Sequence, residues 1–317
     1  MKNYFLTLLL ILPALHNYAQ KRQNVYFFKN DAPTADRKNY DYRRVITEPD
    51  SGATVFNLFE FYPDNTEKTI GFVSVFEPAL VYEGTLKKFN DKGILIEKSY
   101  FKSGKPIGAA SYFYQNGKPK SVILYDASVK IPGVSDHTFS KIVQAYDSLG
   151  TQMVKDGNGY YKTEDKFYAE EGNYINSEKD GVWKGRVGEG TFEEQYKNGN
   201  LITGIATLSN GKTNNYKNAE EFPTFPGGIQ SFYSYLAREY KYPKEAVENR
   251  VSGRIFISFV VEKDGSLTDI KVRNHMGYGT EQEAIRVLNN CRKWIPAKQH
   301  GIPVRVAYNI NFNLRAS

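Results

Sequence analysis

Residues 251–261 read V-S-G-R-I-F-I-S-F-V-V, and residues 304–314 read V-R-V-A-Y-N-I-N-F-N-L. Successive side chains of an extended chain point to opposite faces. In the later stretch Val304, Val306, Tyr308, Ile310, Phe312 and Leu314 therefore share one side, and Arg305, Ala307, Asn309, Asn311 and Asn313 the other. In the earlier one Ile255, Ile257, Phe259 and Val261 form an apolar face against a mixed face of Arg254, Phe256, Ser258 and Val260. Two such strands need a cover, and their neighbours supply it. Ile229, Phe232, Tyr233, Leu236 and Tyr240 recur at three- and four-residue steps, the stripe of a helix opening after Gly227-Gly228. Pro243 suits the first turn of a second, shorter helix. Asp264-Gly265 predicts a two-residue type I′ hairpin, with Thr268, Ile270 and Val272 on the inner face of the returning strand. Thr280 and Glu283 predict a capping box, followed by the buried stripe Ala284, Val287, Leu288 and Cys291 of a helix ending near Asn290. The order helix, helix, strand, strand, helix, strand predicts an α+β domain, a small antiparallel sheet with helices on one face.

Short motifs punctuate this pattern: F-P-G-G at 225–228, K-Y-P-K-E-A at 241–246, K-D-G at 263–265, W-I-P-A at 294–297 and G-I-P-V at 301–304. In that order, over about the last third of the chain, they resemble the carboxy-terminal domain of TonB proteins in its Bacteroidetes-type form. The resemblance implies a partner, the short extended TonB box of an outer-membrane TonB-dependent receptor, paired beside the last strand. By position it implicates Pro303, Val304, Arg305, Val306, Ala307, Tyr308, Asn309, Ile310 and Asn311. Main-chain groups would supply the affinity, with Arg305, Ala307 and Asn309 nearest the peptide's side chains. From alternation alone, the same strand reads rather as a core strand with a solvated outer face; it is the family motifs around it that favour the edge.

The chain opens with Lys2 and an apolar run from Tyr4 to Leu15. A membrane-crossing helix needs roughly twenty apolar residues, so residues 1–19 are expected to be a secretory signal cut after Ala19, placing the protein in the periplasm. Left uncut, the run would act as an inner-membrane anchor. Energy-transducing members resemble one another in a membrane helix and a long Pro-rich spacer; here the 13 prolines are scattered.

Residues 20–80 read as an N-terminal β segment, 81–216 as a hairpin-repeat region and 217–317 as the TonB-like domain. In the middle region an aromatic followed by polar residues and Gly recurs: Phe89 to Gly93, Phe101 to Gly104, Tyr114 to Gly117, Tyr146 to Gly150 and Tyr196 to Gly199, with Leu208 to Gly211 a variant. Asn-Gly and Ser-Gly tips are hairpin chemistry, and successive hairpins predict an all-β antiparallel sheet held by cross-strand aromatic pairs. These units resemble degenerate MORN repeats. Aromatics make up 15% of the chain, and 24 of them are Tyr, which favours strands.

Charge is uneven. Residues 20–221 hold 27 Lys+Arg and 27 Asp+Glu, whereas 222–317 hold 14 and 8, so the excess of +6 lies in the last domain. No recognition-helix motif or base-stacking platform accompanies it, so no nucleic acid is expected; an acidic segment, an anionic envelope surface or cell-wall polymer suits it better.

Little chemistry is legible. His16, His137, His275 and His300 lack metal-ligand spacing, and no cofactor motif is present. Ser135-Asp136-His137 has triad residue types but, as sequence neighbours, not triad geometry. The pairs Glu170-Glu171, Glu193-Glu194 and Glu220-Glu221 would face opposite sides of strands. The single Cys291 forms no internal disulfide and reads as core. The expectation is a binding protein, not an enzyme. A second class is a structural cell-envelope interaction protein whose repeats carry recognition without energy transduction; an immunity role by analogy with other MORN-variant proteins is a third.

Overall fold

A computed structural model of the chain describes residues 22–49, 52–126, 128 and 139–315. The expected signal at 1–19 and the Ser135-Asp136-His137 loop lie outside the described residues. The chain divides into two compact units, the first formed by the chain up to Lys141 with Ser148–Gly150, the second by Ile142–Asp147 and Thr151 onward.

The first unit is an antiparallel meander of β1 (Gln23–Lys29), β2 (Ala32–Thr34), β3 (Tyr42–Thr47), β4 (Phe56–Phe61), β5 (Glu67–Val75), β6 (Val81–Phe89), β7 (Leu95–Lys102), β8 (Lys105–Pro106), β9 (Gly108–Phe113) and β10 (Pro119–Asp126). Its apolar centre is small: Ile46, Leu58 and Val73 on three successive strands. Polar residues are buried beside it. Glu60 takes the guanidinium of Arg44 at 2.7 Å, the ammonium of Lys68 at 3.3 Å and the Thr69 hydroxyl at 2.7 Å.

The second unit begins with another meander, β11 (Phe139–Tyr146), β12 (Gln152–Lys155), β13 (Asn158–Glu164), β14 (Tyr168–Ile175), β15 (Glu178–Val187), β16 (Gly190–Lys197), β17 (Asn200–Thr207) and β18 (Thr213–Tyr216). Here the stabilising contact is an aromatic ring laid over a glycine of the next strand. Trp183 is fully buried over Gly172, Phe192 covers its partner Gly185, and Tyr216 covers its partner Gly204; an added Cβ at each glycine would fall 2.3 Å from the ring. Tyr161, Tyr174 and Tyr196 surround Trp183, with centroids 5.0 to 6.4 Å away.

Turn chemistry divides in two. Asn30-Asp31, Ser103-Gly104, Asp156-Gly157, Asn176-Ser177 and Asn198-Gly199 have both central residues at positive φ, the type I′ geometry that matches strand twist. At Asn116-Gly117 and Asn210-Gly211 only the glycine is left-handed, and its N–H donates to the carbonyl three residues back. Asp264-Gly265 follows this second pattern, so the expected I′ turn is instead a three-residue loop, Lys263 to Gly265. Asp264 is held out of the left-handed region by accepting the Ser266 N–H.

The remainder contains β19 (Glu220–Glu221), α1 (Gly228–Glu239), α2 (Lys244–Glu248), β20 (Gly253–Val261), β21 (Leu267–Val272), α3 (Thr280–Asn289), β22 (Ala297–Gln299), β23 (Ile302–Val304) and β24 (Val306–Leu314). β20 lies between β21 and β24. Phe232 and Leu236 of α1, Ala284, Val287 and Leu288 of α3, and Ile255, Ile257, Phe259, Val261, Ile310 and Leu314 share one core with Phe225 and Trp294, so the helices cover one face, as the patterning implies.

Three local expectations fail. Ile229 is 40% exposed, since the apolar stripe settles on Phe232 and Leu236. The capping box does not form: Gly279, left-handed at φ 81°, is the N-cap, and the Glu283 carboxylate accepts the Lys241 N–H and pairs with Arg286. The last strand is also not continuous from Val304. It breaks at Arg305, leaving β23 paired with β22 and β24 paired with β20.

Candidate functional site

β24 is an edge strand. Its partner β20 matches it through nine consecutive pairs, from Gly253↔Leu314 to Val261↔Val306, without a register shift. The opposite edge of the same sheet is less regular. β21 has six residues, a left-handed Asp269 at φ 50° and a register shift against β20. Beyond β21 the edge of β20 is closed by Asn274, which accepts the Phe256 N–H at 2.8 Å and donates to the Arg254 carbonyl at 2.9 Å. Bulges and side-chain caps are ways of blocking strand addition. β24 has neither, and it contains no proline.

The positions implicated by sequence thus fall into two groups. Val306, Ala307, Tyr308, Asn309, Ile310 and Asn311 lie on the regular edge strand, with Ala307, Asn309 and Asn311 exposed and Ile310 buried. Pro303 and Val304 instead belong to β23. Arg305, between them, spans the outer face to Glu262 at 2.8 Å and to Asp269. Those hydrogen bonds hold the Glu262 carboxyl below its usual range and raise the Arg305 guanidinium, so Arg305 pins the start of β24 rather than presenting a free side chain.

A hollow of about 340 Å³ adjoins the far end of β24, between α1 and Phe312, Asn313, Leu314 and Arg315. Tyrosine rings form much of its wall because their hydroxyls are used inward: Tyr240 donates to the Thr280 carbonyl at 3.1 Å and Tyr242 to the Val251 carbonyl. A second hollow, of about 190 Å³, adjoins Val304 and Val306 at the near end.

The family comparison concerns this region. Residues 238–314 match the family model described as Gram-negative bacterial TonB protein C-terminal. The match runs from the end of α1 through β24 and so contains the whole β21-β20-β24 sheet. Comparison with curated proteins gave no match.

One cluster escaped the sequence reading. The β22–β23 hairpin of the TonB-like module turns at His300-Gly301, both left-handed, and this turn is inserted against the second meander. Glu194, 1% exposed, receives hydrogen bonds from the hydroxyls of Tyr196 at 3.0 Å and Tyr216 at 2.8 Å, and lies 2.7 Å from His300 Nδ1. The His300 ring stacks on Phe192 at 4.0 Å, with its Nε2 3.3 Å from the Tyr168 hydroxyl. Burial alone would raise the Glu194 carboxyl; the bonds and charge of His300, with the two tyrosine hydroxyls, outweigh it and hold the group below its ordinary value. Ile302 completes the contact with Phe192, Ala206 and Tyr216. The available signal was the alternation of Phe192, Glu194 and Tyr196, which puts a carboxylate on an aromatic face. Its partner was not legible, lying 106 residues away.

Glu193 faces solvent and pairs with Lys184, so this acidic doublet is split across the strand. Cys291 packs against the core, and burial raises its thiol. Among the described residues no group of three or more His, Cys, Asp or Glu is placed to hold a metal ion, and no helix is long and apolar enough to cross a membrane.

Proposed function

We propose that this chain is an exported cell-envelope binding protein whose TonB-like module takes up an extended peptide of an outer-membrane receptor by strand addition along β24. The observation that carries this reading is the nine-residue, unbulged edge strand inside the matched segment. An added strand pairs with the main-chain groups of such an edge and places alternate side chains toward each face. The +6 excess of residues 222–317 favours acidic segments and speeds their encounter. The reading assigns no catalytic step to the chain: the buried Glu194–His300 pair is enclosed by aromatic rings and acts as a fastening.

The test uses the full chain and synthetic peptides from the periplasmic N-terminal segments of TonB-dependent receptors. Val306→Pro and Ala307→Pro each remove one N–H, and adjacent N–H groups of a strand point to opposite edges. One variant therefore loses a bond to β20 and the other loses only the outward donor. The latter should stay folded by circular dichroism and bind at least tenfold more weakly, about 1.4 kcal/mol. Undiminished affinity in both folded variants would refute strand addition.

A further inference from the structure

The two hollows beside β24 have a fixed spacing. One contains Val306 in its wall and the other Phe312, six residues apart on the same strand. An even separation puts both on the inner face, and at ~3.3 Å per residue they are about 20 Å apart. Residues directly opposite one another on paired strands share a face. A strand added to β24 would therefore direct the side chain opposite Val306 into the smaller hollow and the one opposite Phe312 into the larger, whichever way it runs.

The walls suit apolar anchors. Tyr233, Leu236, Tyr240, Phe312 and Leu314 surround the larger hollow. Phe222, which is 70% exposed, and Pro223 stand beside the smaller one. The ends differ in charge: Arg315 lines the larger hollow and Arg254 bonds to the neighbouring Asn313, whereas Glu220, Glu221 and Lys298 line the smaller, where the Lys298–Glu221 pair at 3.0 Å leaves Glu220 as the net charge.

Resting on the strand-addition reading, we infer that the partner is an extended peptide bearing two large apolar side chains six residues apart, with an acidic residue next to the anchor at the Arg315 end. The inward side chains between the anchors, opposite Tyr308 and Ile310, are small. The module thus selects its partner by anchor spacing as well as by main-chain pairing.

The experiment measures binding of fluorescein-labelled Ser/Thr host peptides to the full chain by anisotropy. One peptide carries two Phe six residues apart with a flanking Glu; an isomer of identical composition has them five apart, on opposite faces. The six-apart peptide should bind at least tenfold more tightly, because burying one more aromatic side chain is worth about that factor or more. Ala237→Trp adds bulk from an exposed position of α1 into the larger hollow and should reduce the six-apart peptide to the affinity of a single-Phe control. Replacing the Glu by Lys should weaken binding several-fold at low salt. Equal affinity of the two isomers, or no binding by either, overturns the anchor proposal. If receptor peptides still bind and the edge-strand proline variant still abolishes that binding, strand addition survives alone; if they do not, both readings fall.

Discussion

Replacing Glu194 by Ala should separate two parts of the second unit that otherwise unfold together. The wild-type carboxylate is 1% exposed and meets Tyr196, Tyr216 and His300 at 3.0, 2.8 and 2.7 Å. Its removal leaves two hydroxyls and an imidazole without their shared acceptor in a site closed by Phe192 and Ile302. Leaving a buried donor without its acceptor costs about 1–3 kcal/mol, so the loss of all three partners should cost about 3 kcal/mol or more. Glu194→Gln keeps the shape and one acceptor and should cost about 1–3 kcal/mol. The chain has two tryptophans, Trp183 in the meander and Trp294 in the TonB-like core. Urea unfolding followed by fluorescence in Trp183→Phe and Trp294→Phe backgrounds therefore reads each part separately. With Glu194 present the two transitions should coincide. In the Ala variant the meander transition should fall by roughly 1 M urea or more, at ~3 kcal/mol/M, and part from the Trp294 transition. A loss under about 0.5 kcal/mol, the level of a neutral surface change, with coincident transitions, would refute the view that this pair fastens the hairpin.

Trp183→Ala removes a fully buried ring with three tyrosine neighbours and uncovers Gly172, so thermal unfolding should show a loss of about 3–5 kcal/mol; a change below about 1 kcal/mol would mean that the aromatic row is ornamental. Acid should act through Glu60 and Glu194. Burial would raise each, but Thr69, Lys68 and Arg44 in the first case, and His300, Tyr216 and Tyr196 in the second, hold both below the ordinary value of 4.5. A folded-state value below the unfolded one supplies stability that is complete above the unfolded value and disappears as pH falls through the folded one. Urea midpoints should accordingly vary little through these groups above about pH 5 and drop below about pH 4. The Glu60→Gln/Glu194→Gln double variant should be less stable at neutrality and lose less on acidification; an equally steep acid loss would place the effect elsewhere.

Much of the TonB-like sheet was legible because burial follows alternation there. Ile255, Ile257, Phe259 and Val261 are all buried, and Ile310 and Leu314 face the same core. What was not legible depended on competition between local signals and distant partners. Thr280 and Glu283 have capping-box spacing, but the Lys241 N–H takes the glutamate. Alternation runs unbroken from Val304 to Leu314, yet the strand breaks at Arg305, whose guanidinium is drawn to Glu262 and Asp269. The residue pattern by itself also did not choose between the two sheet edges; the last strand was singled out only by the family resemblance. In the structure the edges differ through the left-handed Asp269 and through Asn274, whose side chain mimics a neighbouring strand beside β20.

If β24 takes up a peptide as proposed, the same features would keep the free edge ready. β23 runs into β24 through Arg305 alone, so whatever fixes the hairpin also fixes the first residues of the edge strand. On one side the His300-Gly301 turn is held by Glu194, with Gly301 so close to Tyr216 that an added Cβ would come within 2.4 Å of the ring. On the other, Arg305 is tied across the sheet to the β20–β21 loop and to β21. A strand anchored at its start and paired along nine residues has little conformational freedom left to lose when a peptide arrives. Ordering costs that would otherwise subtract from affinity then fall on the peptide alone. Loosening the Glu194–His300 fastening should thus weaken peptide binding even though neither residue touches the peptide, and it should also blunt the preference for anchor spacing, because the smaller hollow is walled by Ala297, Lys298, Gln299 and Val304 of that same hairpin whereas the larger one is built on α1 and the far end of β24.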